Sequence, residues 1–323
     1  MPIHDPGYRE WTGTRGSLLT RWMVVAEIGI RRAWLSMWLR RMMFFAWVPA
    51  AMMGFMIFMY EQADGRDEFT GRAVMGLSQL LLDPTGSGKN GFSSVTELVQ
   101  RRTESPGSER HLFWSALLLT LFRRSQPFIL IPMIGVIVPP LISQDFRSRA
   151  FLLYFSRPLT RGQYILGKAA SVMFFLLMIT LVPALLLFIM GVILSPDLSV
   201  LSSTWDLPLR ILLVSLVIVV PCTTLSLMLS SLTTESRYAS FGWFAIWILG
   251  SLTYGALIPM MSSETHSVLQ CVSLFHVFSD VAAWILDKNF EVQGIETRLI
   301  LLGLITTLSL AVLYRRVSAP MQI

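Results

Sequence analysis

The sequence predicts an all-α integral membrane protein of about six transmembrane helices, and three observations lead there. Of its 323 residues, 54% are hydrophobic and 14% charged, whereas soluble domains carry about a quarter charged. The apolar residues are gathered into runs of about 20, the length that crosses a bilayer core. The basic residues flank those runs: Arg15, Arg21, Arg31, Arg32, Arg40 and Arg41 precede the first, and Arg315 and Arg316 end the last. That is the spacing of topology signals. It explains the net charge of +6 without a nucleic-acid partner.

Residues 1–41 interleave Trp22, Trp34 and Trp38 with arginines, as in a helix lying at headgroup level. The N-terminus has no short apolar core with a small-residue cleavage site, so the first span is expected to serve as the insertion signal. Residues 42–60 are uncharged and long enough to cross; Pro49 and Gly54 within them are tolerated in membrane helices. The polar stretch 61–111 carries eight acidic and six basic residues, and 61–126 is assigned as an external loop. Residues 112–122 are apolar but too few to cross before Arg123 and Arg124 interrupt them, so they are expected at the interface. The second span is then 127–143, with four prolines.

Four more spans follow at 165–194, 209–232, 238–261 and 299–314. The loop between spans two and three holds Arg147, Arg149, Arg157, Arg161 and Lys168 against Asp145. The next external loop holds Asp197 and Asp206; the last holds Glu264, Asp280, Asp287, Glu291 and Glu296 against Lys288. By the positive-inside rule, the basic loop and both termini are cytoplasmic. Residues 268–286 are apolar as well, but His276 and Asp280 break them, and a seventh span would put Arg315 and Arg316 outside. They are expected to form a re-entrant or interfacial helix before span six. One membrane domain, 1–323, accounts for the chain.

Catalytic chemistry lacks its parts. Cys222 and Cys271 fall in different kinds of segment and suggest neither a disulfide framework nor a metal site. His4, His111, His266 and His276 have no metal-ligand spacing. Gly86-Ser87-Gly88-Lys89-Asn90 has Asp83 where a phosphate loop needs glycine and Asn90 where it needs Ser or Thr. No nucleophile elbow appears. Acidic residues are nearly absent from the spans, which disfavours an ion-coupled carrier. The 18 methionines read as packing filler. No cofactor and no metal are expected.

The segment between spans two and three has its own logic. Asp145 is expected to cap a helix starting at Phe146, and Pro158 bars that helix from continuing. On it Phe146, Ala150, Leu153 and Tyr154 share a face. Thr160 followed by Gln163 is a capping box opening the next helix into span three. Such a helix, apolar on one face and edged by arginines, suits either a groove on another protein or a bed of lipid phosphates.

These residues carry a resemblance. The charged turn from Asp145 to Arg149, then Ser156-Arg157-Pro158-Leu159-Thr160-Arg161, then Tyr164-Ile165-Leu166-Gly167-Lys168 resemble the ABC-2 type permease family, the membrane subunits of ATP-binding-cassette exporters. The resemblance implies a coupling helix within 144–164 that contacts a separate ATPase through Asp145, Phe146, Arg147, Arg149, Leu153, Tyr154, Arg157, Pro158 and Arg161. Thr160, Gln163, Gly167 and Lys168 would be structural caps beside it. Many family members have a glutamate and a Gly-Thr pair in this helix; here Arg149-Ala150 fills that region. The resemblance further implies a permease without its own ATPase site, paired with a second permease copy or paralogue in a bacterial plasma membrane. Its substrate path would run between the copies, where Gly242, Gly250 and Gly255 allow close helix approach. The rivals are a membrane scaffold and an ATP-independent secondary carrier, which would show inverted repeats.

Overall fold

The computed structural model describes residues 20–62, 108–148, 159–195, 199–260, 269–286 and 294–318. Every element among them is helical: α1 (Arg21–Trp34), α2 (Met37–Gln62), α3 (Ser108–Thr120), a π-turn (Leu121–Ser125), α4 (Gln126–Ile137), α5 (Pro139–Arg147), α6 (Arg161–Leu194), α7 (Ser199–Thr204), α8 (Leu207–Leu232), α9 (Ser236–Leu257), α10 (Leu274–Leu286) and α11 (Ile295–Ser318). Single-turn 3-10 pieces lie at Ile258–Met260 and Gln270–Val272. Helix is the form that satisfies its backbone within one segment, which a bilayer core demands. Six stretches are long and apolar enough to cross: Met37–Met59, Phe113–Arg147, Arg161–Leu194, Leu207–Leu232, Ser236–Met260 and Ile295–Ser318. The chain is an all-α integral membrane protein.

The second span corrects the sequence reading. Residues 112–122 are not a separate interfacial piece, and residues 108–126 are not loop. α3 runs through the π-turn into α4 and α5 as one stretch. Phe113, Trp114, Leu117, Leu121 and Phe122 are buried in the bundle. The extra residue of a π-turn shifts the face of the helix, and Arg123 and Arg124 sit in that turn. Arg123 acts electrostatically on His276 and Asp280 of α10. A charge that meets charged neighbours inside the bundle does not end a span, although by hydropathy alone it reads as an end.

α10 has 13 residues, about 20 Å of helix, which is short of the roughly 30 Å hydrocarbon core. It does not make a seventh span. Val277, Val281, Ala282, Ala283 and Leu286 are all buried, and its Phe278 stacks on Trp247 of α9 with centroids 6.0 Å apart.

The bundle is organised around α6, and close approach there depends on small residues. A Cβ on Gly167 would lie 2.8 Å from the Trp22 carbonyl oxygen and 2.6 Å from Val25 Cβ, so α1 can lie against α6 only if this residue is glycine. One turn on, Ser171 donates to the Ala26 carbonyl at 3.1 Å beneath Gly29, and Trp34 stacks on Phe175 at 6.2 Å. Small residues that bring backbones together are the usual means of helix association in lipid, where apolar burial alone gives little gain. Of the glycines singled out on α9, a Cβ on Gly255 would meet nothing within 4 Å, one on Gly242 only Leu229, and one on Gly250 would lie 3.1 Å from the Val272 carbonyl oxygen.

Candidate coupling site

The site forms where α5 ends and α6 begins. α5 starts at consecutive prolines, Pro139 and Pro140, which suit a first turn because that turn's N–H groups have no intrahelical partner. The remaining donors of the turn are all met: Leu141 N–H by the Val138 carbonyl at 2.9 Å, and Ile142 and Ser143 N–H both by Ser230 Oγ of α8 at 3.2 Å. Ser230 in turn donates to the Pro139 carbonyl at 2.5 Å. One hydroxyl from another helix thus caps α5, and it is fully buried.

That cap corrects the reading of Asp145. It does not begin a helix at Phe146; it is the seventh residue of α5, two residues from the end. Its Oδ2 accepts from the Tyr164 hydroxyl at 2.7 Å and pairs with Lys168 Nζ at 2.7 Å. Lys168 Nζ also donates to the Leu141 carbonyl at 2.8 Å. Leu141 and Asp145 are one turn apart on α5, as are Tyr164 and Lys168 on α6, so two helical faces meet over one buried ion pair. The side chains of Asp145 and Lys168 are 7% and 9% exposed, which makes loss of either partner costly.

Around this clamp the neighbouring helix ends are tied together. Arg147 pairs with Glu235, the N-cap residue of α9, at 3.2 Å, and Arg32 of α1 donates to Gln144 at 3.1 Å. Both contacts are exposed and worth little alone. Phe146 packs against the core with Leu159. Thr160 Oγ1 accepts from Gln163 N–H at 3.3 Å while Gln163 Oε1 accepts from Thr160 N–H at 3.1 Å, a complete capping box at the start of α6. Gly167 and Lys168, expected as caps, lie inside α6 instead: Gly167 seats α1, and Lys168 holds Asp145. Arg161 is half-buried at the first turn. Arg149, Leu153, Tyr154, Arg157 and Pro158 lie outside the described residues.

Sequence reasoning missed Ser230 and Glu235, and gave Tyr164, named only among the residues of the family resemblance, no role in the site. Only Tyr164 left a signal, since it stands four residues before Lys168. Ser230 and Glu235 are 91 and 88 residues from the groups they hold. The Ser230 cap makes a direct prediction. Ser230→Ala leaves two buried N–H groups without an acceptor and is expected to cost about 1–3 kcal/mol. Ser231→Ala, which loses only a bond within its own helix at 2.7 Å, is expected to cost less. Thermal unfolding of the two purified variants checks this.

Among the described residues no group of His, Cys, Asp and Glu could hold a metal ion. What the described residues show is two spans clamped together where α5 ends and α6 begins. The family model described as ABC-2 family transporter protein matches residues 42–316, from the first span to the last arginine pair. Comparison with curated proteins finds no match. The match takes in the clamp, four of the six spans whole and all but the outermost few residues of the first and last, and the chain belongs to the ABC-2 family of transporter proteins.

Proposed function

We propose that this chain is the permease subunit of an ATP-driven exporter whose energy comes from a separate cassette ATPase docked on the segment 148–160. The supporting observation is the frame around that segment. Asp145 with Tyr164 and Lys168 closes its base, the Thr160–Gln163 box stiffens its exit, and Ser230 fixes its entry to α8. A partner that moves such a segment moves α5 and α6 together, because buried ion pairs and packed helix faces have discrete arrangements and do not stretch.

In this reading the clamp end is cytoplasmic, as the basic residues there require, and both termini share that side of a bacterial plasma membrane. Two permease copies work with two ATPases, and ATP closure of the ATPase dimer shifts the spans between inward and outward states. Lipid phosphates meet the exposed Arg31, Arg32, Arg40 and Arg41 at the α1–α2 elbow.

The test is affinity purification from the native membrane, beside a variant with Arg149, Arg157 and Arg161 changed to glutamate. Wild type is expected to bring down a cassette ATPase, and the variant to lose it while keeping its thermal stability. A folded wild-type chain that brings down no ATPase would sink the reading and favour a scaffold.

A further inference from the structure

Among the helices a crevice is lined by residues that include Phe122, Gln126, Cys222, Trp247, Phe275 and Phe278. It has room for no more than about one water molecule. Most of its wall is apolar, yet two polar atoms of its lining residues find no hydrogen-bond partner among the described residues. The Gln126 amide nitrogen is used, donating to the carbonyls of Ile179 at 3.3 Å and Thr180 at 3.1 Å; its Oε1 is left over. Trp247 Nε1 is left over as well. Near in sequence to Phe275 and Phe278, the α10 residues of that wall, Ser273 Oγ, His276 Nδ1 and Ser279 Oγ are also buried without a partner among the described residues. Buried polar atoms are normally paired, so unmet ones gathered along one short helix mark a surface whose hydrogen bonding is incomplete in this arrangement.

α10 is held in place by charge. Asp280 pairs with Arg298 of α11 at 3.2 Å, with side chains 12% and 2% exposed, and Arg298 also bonds the Gln270 amide oxygen. At its C-terminal end the Ile285 carbonyl accepts from Arg210 of α8 at 2.5 Å, and Arg210 is held by Asp206, which meets His111 of α3. A buried pair of this kind has discrete made and broken states, so it holds α10 firmly until both charges are released together to water.

We propose that α10 is a plug over this crevice, latched by the Asp280–Arg298 pair, and that its withdrawal opens the Gln126–Trp247 wall as a binding surface for an uncharged hydrogen-bonding group on a largely apolar molecule. Use of the opening as a substrate path rests on the transport reading; the opening itself does not.

Cys222 is a native reporter, 1% exposed and inside the crevice wall. In a Cys271→Ser background in lipid nanodiscs, a hydrophilic maleimide is expected to label Cys222 slowly. Asp280→Asn or Arg298→Gln is expected to raise the rate at least about tenfold, since labelling follows the open population. The swap Asp280→Arg with Arg298→Asp is expected to restore slow labelling. To separate opening from general loosening, a second reporter is placed at Ala26, buried beside Ser171 on α1, a helix with no residue in the crevice wall, by Ala26→Cys with Cys222→Ser; its rate should not change. Equal acceleration at both reporters, or none at Cys222, would overturn the plug. Because no ATPase takes part, the result is independent of copurification.

Discussion

Asp145→Ala is expected to destabilise the protein by about 3–5 kcal/mol, because it leaves the Lys168 ammonium, 9% exposed, without its carboxylate. Against a total stability of about 5–15 kcal/mol for a typical domain, that is about a third or more of the margin in most cases and a large drop in the unfolding temperature. Lys168→Ala is expected to cost about as much, through an orphaned Asp145 still held by Tyr164. The cost belongs to the stranded charge and not to the pair as such. A triple replacement by apolar groups of similar size, Asp145→Leu with Tyr164→Phe and Lys168→Met, is therefore expected to recover most of the loss. Thermal unfolding of the set decides it. If Asp145→Ala melts with wild type, the buried pair is not holding α5 to α6. Under the proposed permease reading, the triple variant also separates fold from coupling: with stability back but the polar clamp gone, it is expected to keep a copurifying ATPase and lose ATP-dependent transport.

The positions of the spans were legible in the sequence because hydropathy and length are local properties. Five of the six spans lie within a few residues of their expected bounds, and 268–286 holds a helix too short to cross. What hydropathy misjudged was the second span, where Arg123 and Arg124 looked like an end. A π-turn and charged neighbours on α10 are tertiary facts, and no window of sequence contains them. The site divides in the same way. The Thr160–Gln163 box is a local motif and was visible. The helix before it was expected to start at Phe146 because Asp145 is a good capping residue, but its true start is at Pro139, capped by Ser230 from 88 residues away in the chain. A residue free of that duty could then turn its carboxylate into the bundle. On sequence, Asp280 and His276 break 268–286 into a re-entrant or interfacial helix, and α10 does not cross; what no window of sequence contains is Arg298, at the outset of α11, which compensates the buried carboxylate.

Trp243→Ala is expected to cost about 3 kcal/mol, toward the lower end of what a buried aromatic truncation costs, because lipid tails can replace part of the lost apolar contact. Its effect should be local and large for α9. That helix buries only Ala239, Trp243 and Trp247, one stripe at intervals of four, and leaves Tyr238, Phe241, Ile248, Leu249 and Leu252 exposed. Trp243 is 1% exposed, sits edge-on to Trp247 at 5.6 Å, and donates its indole N–H to the Ile131 carbonyl at 2.8 Å. A Cβ on Gly135 would come within 2.9 Å of it, so the ring is keyed into a notch on α4. Trp243→Phe keeps most of the ring and loses the hydrogen bond, for about 0.5–1.5 kcal/mol. Amide hydrogen exchange reads the difference: Trp243→Ala should accelerate exchange through 236–257 while leaving α6 protected. Acceleration spread evenly over all spans would mean that α9 is not a separately attached element but part of one cooperative core.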